Sequence, residues 1–157
     1  MIDERNLTKY YQSIAEKLDE IVPVEWDEIV MYGEELGDVR TACLYYKQKG
    51  KDEYRSGGLI PSDYCVDADV YAELIYELMH INKKLWKEFL DADVSTWEAF
   101  TFHLSPDYHF KIKFGYKINR EISDYEREII WAYNELGAIP KDVFSKKILE
   151  EYLAEKN

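Results

Sequence analysis

Two apolar sets, Phe100, Phe102 and Leu104 in one run and Phe110, Ile112, Phe114 and Tyr116 in the next, are all even-numbered. Directly opposed residues of an antiparallel pair share a face, so for both sets to meet in one core their numbers must sum to an even total. A five-residue loop over 105–109 satisfies this, pairing Leu104 with Phe110, Phe102 with Ile112 and Phe100 with Phe114. A four-residue loop would set Phe102 against Lys111 and split the core. Lys111, Lys113 and Lys117 then line the opposite face of the hairpin.

Other segments follow the same two periods. Leu7, Tyr11, Ile14, Leu18 and Ile21 recur at helical steps, and Pro23 ends that helix by restraining Val22 and lacking an amide proton. Glu28–Glu34 is rich in β-formers, Gly37-Asp38 makes a turn, and Thr41–Lys47 returns as a second strand, so the two form an antiparallel hairpin. A shorter strand near Tyr54 is cut off by Gly57-Gly58 and Pro61. Val70, Leu74, Leu78, Ile81, Leu85 and Phe89 predict one long helix over 69–90, capped by Asp67 and Asp69. Ser123 and Glu126 have capping-box spacing, Gly137 stops the helix of Tyr125, Ile129, Ile130, Tyr133 and Leu136, and Pro140 suits the first turn of a last helix that packs Phe144, Ile148 and Tyr152.

Short hairpin links between these elements favour an α+β fold over parallel βαβ units. The expected architecture is an antiparallel sheet built from hairpins, packed against N-terminal, central and C-terminal helices. At 157 residues, with no repeat or linker composition, the chain reads as a single domain over 1–157. The Met1-Ile2-Asp3-Glu4 start carries no cleavable signal, and charged residues interrupt every apolar run well short of a membrane span, which points to a cytoplasmic protein.

Charge narrows the partners. The net charge is −12, and residues 1–38 hold eleven acids against three bases. A field of that sign opposes binding to nucleic acid or to anionic lipid, and attracts a basic protein. Acidity also confers solubility, so charge alone leaves both readings open. Fourteen Tyr and four Trp cannot all enter the core, and amphipathic aromatics beside carboxylates suit a recognition surface.

No motif for chemistry emerges. The glycines form neither GxGxxG nor GxxxxGK[ST], and GxSxG, HExxH and PCxxC are missing. His80 reads as a packed or edge residue of the long helix. Cys43 reads as a small hydrophobe in a strand, and Cys65 has no basic neighbour to activate a thiolate. His103, Asp107 and His109 at one hairpin tip are the single set that could serve a small hydrolase, since imidazole titrates near neutrality and a carboxylate can orient it.

The order of several blocks resembles the YezG-like immunity proteins. These blocks are Ile29-Val30-Met31-Tyr32-Gly33-Glu34-Glu35 followed by Leu44-Tyr45-Tyr46, then Ile60-Pro61 with Tyr64, then Leu85-Trp86-Lys87-Glu88-Phe89. Further matches are Trp97-Glu98-Ala99-Phe100-Thr101, Phe110–Tyr116, and Trp131-Ala132-Tyr133-Asn134-Glu135-Leu136-Gly137. The resemblance spans most of residues 7–153. Tyr108-His109 departs from the Gly-Lys usual before the second hairpin strand, so the loop tip meets something different.

The resemblance implies an antitoxin paired with a secreted bacterial toxin, of the LXG or nuclease kind, with no catalytic residue, metal or cofactor. On that reading the chain is no enzyme. Its partner is a cognate toxin with a basic surface, and an acidic, aromatic-rich surface occupies the toxin's cleft in place of nucleic acid. Charge density nominates Glu25, Asp27, Glu28, Glu34, Glu35 and Asp38 for that surface, joined by Asp91 and Asp93. A general adaptor domain is the alternative, with the His103/Asp107/His109 hydrolase behind it.

Overall fold

The first apolar stripe is helix α1 (Glu4–Ile21), which buries Ile14, Ala15, Leu18 and Ile21. Asp3 caps it by accepting from the Arg5 amide, and Val22, extended just before Pro23, ends it. The computed structural model describes residues 2–156. They fall into two compact units, Met1–Ile118 and Asn119–Asn157.

The first unit carries strands β1 (Trp26–Glu35), β2 (Arg40–Gln48) and β3 (Tyr54–Ser56), the short helix α2 (Ile60–Tyr64), the long helix α3 (Ala68–Asp91), and strands β4 (Ala99–Leu104) and β5 (Phe110–Gly115). All strand pairs are antiparallel, in the order β3-β2-β1-β4-β5. The fold is α+β, as the hairpin pattern requires. The β4–β5 register is the one parity demanded: Leu104 faces Phe110, Phe102 faces Ile112 and Phe100 faces Phe114.

Register carries that face across the sheet. Met31 lies between Leu44 and Phe102, and Ile29 between Tyr46 and Leu104. These residues join Leu18, Leu78, Leu85, Phe89 and Trp97 in one core beneath α1 and α3. Each fully buried side chain of this size stabilises the fold by roughly 1.5–3 kcal/mol. Trp97 anchors one end, with its ring centroid 4.9 Å from Phe100, 5.4 Å from Phe114 and 6.1 Å from Phe89. Of the adjacent Tyr45 and Tyr46, Tyr46 enters the core and hydrogen-bonds Tyr64 at 2.9 Å, while Tyr45 points to the other face.

α1 and α3 run antiparallel, because Lys17 pairs with Glu77 while Tyr10 donates to Glu88. Val70, assigned to the packed stripe, is 51% exposed. Tyr71, the next residue of α3, packs against the core instead. Tyr116 is likewise exposed, because β5 stops at Gly115 and the alternation ends with it. Asn82 is the polar surprise inside the stripe: it is buried, with its amide 3.6 Å from the Met31 sulfur.

The second unit holds α4 (Asp124–Leu136) and α5 (Val143–Lys156). Ser123 caps α4 through the Glu126 amide, and Gly137 closes it with φ of 67°. The last helix starts three residues after Pro140, because Asp142 accepts from the Ser145 amide and takes the cap. That bond holds the Asp142 carboxyl below the usual carboxylate range. The Tyr125 ring stacks on Phe144 and its hydroxyl bonds Ser145, while Asn134 donates to the Tyr152 hydroxyl. First turn therefore meets first turn, and the two helices run in the same direction, with 137–142 returning along α4. Phe144, expected to be packed, is 68% exposed, and Ser145 and Leu149 are the buried positions instead.

A glycine pair tests the packing of β2. A Cβ on Gly57 would stand 2.6 Å from Leu44 Cγ and 3.0 Å from its carbonyl oxygen, whereas one on Gly58 would meet only Ser56 Oγ at 3.5 Å. Gly57→Ala should destabilise by about 1–3 kcal/mol in urea unfolding. Gly58→Ala should stay within about 0.5 kcal/mol of the parent.

Candidate interaction surface

Nine residue steps separate Trp26 from Glu35, so β1 is about 30 Å long. This length divides the acids that crowd the first quarter of the sequence. Glu25 and Asp27 lie at the start of β1, and Asp38 lies in the turn beyond its end. They cannot form one patch.

The acids at the start of β1 are tied into local structure. Glu25 is 3.8 Å from Lys49 Nζ, and Asp27 accepts the Gly50 amide at 2.8 Å, closing the turn after β2. Glu28 Oε1 accepts the Tyr54 hydroxyl at 2.6 Å and lies 3.4 Å from His103 Nδ1. Asp19, near the end of α1, accepts the Trp26 indole N–H at 2.9 Å and the Tyr108 hydroxyl at 2.7 Å. This last bond pins the 105–109 loop to α1 and pushes the Tyr108 phenol up to about 12. Tyr108 is the residue at which the loop tip departs from the family pattern, but its contact with Asp19 spans 89 positions and has no local signal.

Glu34 and Glu35 are not surface residues. They are 3% and 2% exposed. Neighbours in a strand point to opposite faces, so each needs its own polar support. Glu34 accepts from the Tyr32 hydroxyl at 2.7 Å and sits 3.5 Å from Thr41 Oγ1. Glu35 accepts from Arg40 Nε at 3.2 Å across the hairpin. Both carboxylates are held inside the end of β1, Glu35 Oε1 without a hydrogen-bond partner among the described residues, and they offer no charge to a partner in this conformation.

At that same end, Asp38, Asp91 and Asp93 are exposed. The end of β1 is joined to the start of β4 by Glu35 N–H donating to the Glu98 carbonyl, and Glu98 N–H donates to Gly115 at the end of β5. Trp86 donates its indole N–H to the Trp97 carbonyl and Phe89 packs on Trp97 and Phe114, so the last turns of α3 reach the start of β4, level with the end of β1. The turn holding Asp38, the exit from α3 and the end of β5 therefore share one end of this unit.

The hairpin-tip set does not assemble. His103 turns toward Glu28, while His109 lies 2.7 Å from Asp107. Among the described residues no three His, Cys, Asp or Glu side chains are placed to hold a metal ion. A hollow of about 280 Å³ beside β3 is lined by Lys51, Glu53, Arg55, Asp63 and Tyr64. Arg55 donates to Asp63 through both Nε and Nη2 there, and two cations offset two anions, so the hollow favours neither sign of ligand. His80 and Cys65 are exposed and Cys43 is half-buried. No helix among the described residues is long and apolar enough to cross a membrane.

The burial contrast sets a prediction. Glu35→Lys should destabilise the fold by about 3 kcal/mol or more, since it places a second cation against Arg40 in a buried site. Asp38→Lys should change stability by less than about 0.5 kcal/mol in the same urea titration.

Comparison with known proteins gives one answer. A family model described as "Immunity protein YezG-like" matches residues 7–150. An immunity protein YezG of Bacillus spizizenii is 30% identical over 154 residues, covering 97% of this chain and 96% of its own. The Bacillus subtilis immunity protein YezG is 31% identical over 145 residues, covering 91% and 96%. The type VII secretion system protein EsaG of Staphylococcus aureus is 25% identical over 162 residues, covering 99% and 98%. With a match running through both units, this chain belongs to the YezG-like immunity protein family.

Proposed function

We propose that this chain neutralises a cognate secreted toxin, of the nuclease class, by binding it one to one, and that its own side chains catalyse nothing. The observation that carries the reading is the family match over residues 7–150 on a chain of net charge −12. Both units act in that reading as a single immunity module over 1–157, working in the cytoplasm of the producing cell without a metal or cofactor.

Electrostatics supply the mechanism. A nuclease presents a basic cleft to polyphosphate, and an acidic protein surface competes for that cleft while speeding encounter. Carboxylates at both ends of the sheet contribute: exposed Glu25 and Asp27 with half-buried Glu28 at one, exposed Asp38, Asp91 and Asp93 at the other. Glu34 and Glu35 act indirectly by holding the strand end.

Association with the toxin domain, followed at 50 and 500 mM salt, tests the reading. The association rate should fall by about ten-fold or more at the higher salt, with dissociation changing far less. A salt-independent rate would contradict the electrostatic mechanism, and an absence of binding would contradict the function.

A further inference from the structure

Large apolar side chains stand exposed at eight described positions of the Met1–Ile118 unit, and four of them, Val39, Leu90, Val94 and Tyr116, lie at the end of the sheet where β1 and β5 stop and α3 ends. Single exposed hydrophobes are ordinary, but a cluster rimmed by charge is the composition of an interface centre. Here the rim is Asp38, Asp91 and Asp93.

These carboxylates differ from those at the other end. Asp19, Glu25, Asp27 and Glu28 all serve the fold through Trp26, Tyr108, Lys49, Gly50, Tyr54 or His103. The carboxylates of Asp38, Asp91 and Asp93 bond to no described residue. Of the cations nearby, Arg40 is committed to Glu35, and Lys117 stands exposed beside Tyr116.

We propose that this end of the sheet is where the toxin docks, with Val39, Leu90, Val94 and Tyr116 as the apolar anchor and the three free aspartates as the guiding charge. The proposal rests on the toxin-binding function above and names the surface that performs it. Charge complementarity selects the occupant. A basic protein pairs with three unneutralised carboxylates, whereas a second copy packed on the same face would bring six of them together.

Binding kinetics of the full chain with its cognate toxin domain decide the matter. Leu90→Ala, Val94→Ala and Tyr116→Ala combined should weaken binding by about 100-fold, mainly through faster dissociation. Asp38→Lys with Asp91→Lys should slow association about ten-fold at low salt. Glu16→Lys with Glu73→Lys, the same change in charge placed on α1 and the early part of α3, should alter it by less than about three-fold. Hydrogen exchange on the unmodified complex gives a readout that needs no variant: protection should appear at 37–39, 91–95 and 115–117.

Wild-type chain that fails to bind or inhibit the toxin would overturn the functional reading and this surface with it. Tight wild-type binding that survives the triple alanine change, with protection elsewhere, would overturn the surface alone. A wild-type dimer in light scattering that becomes monomeric in the triple variant would also overturn it, giving the patch to a second copy.

Discussion

Strand β1 is the element on which the rest depends. It pairs with β2 on one side and β4 on the other, so every position along it fixes the height of two neighbours at once. Because a one-residue slip would turn Ile29 and Met31 out of the core and Val30 and Tyr32 in, the register is held by the whole apolar face and not by any one turn. Gly33 marks the tight spot. A Cβ there would stand 3.1 Å from the Phe100 ring and 3.2 Å from the Asn82 amide, so any side chain at this position requires the ring and the amide to give way by a few tenths of an ångström.

The same strand organises the electrostatics. Its length sends acids that are neighbours in sequence to opposite ends of the sheet, and its last two residues carry carboxylates into the interior. Each of these is supported in its own way, Glu34 by hydroxyls and Glu35 by Arg40. Above them, the turn with Asp38 keeps its charge in water. The chain thus separates carboxylates that hold the fold from carboxylates that remain available, and the second group coincides with exposed apolar side chains.

Much of this was legible in the sequence, for identifiable reasons. Parity between two alternating runs determined the β4–β5 pairing, and a proline after a clean stripe located the end of α1. The burial of Glu34 and Glu35 was not legible from charge density, which counts acids without asking where a strand points them. The signal that could have found one of them was Arg40, opposite Glu35 across a turn. Pro140 suggests an earlier start for α5 than the fold takes, because Asp142, with a carboxylate one residue before the helix, is the stronger cap. Tyr108 and Asp19 meet only because the sheet and α1 bring them together, which no local pattern encodes. Family blocks were visible because they follow the core and turn positions that the fold requires, whereas a partner surface needs only exposure and chemistry.

In the function proposed above, this chain inhibits its toxin stoichiometrically, by occupancy and not by turnover. The most direct measurement is residual toxin activity as a function of the molar ratio of this chain to toxin, at concentrations well above the dissociation constant. A linear fall that reaches zero at one equivalent is the expected result. Loss of toxin activity at a small fraction of an equivalent, growing with time, would show catalytic destruction and contradict the account.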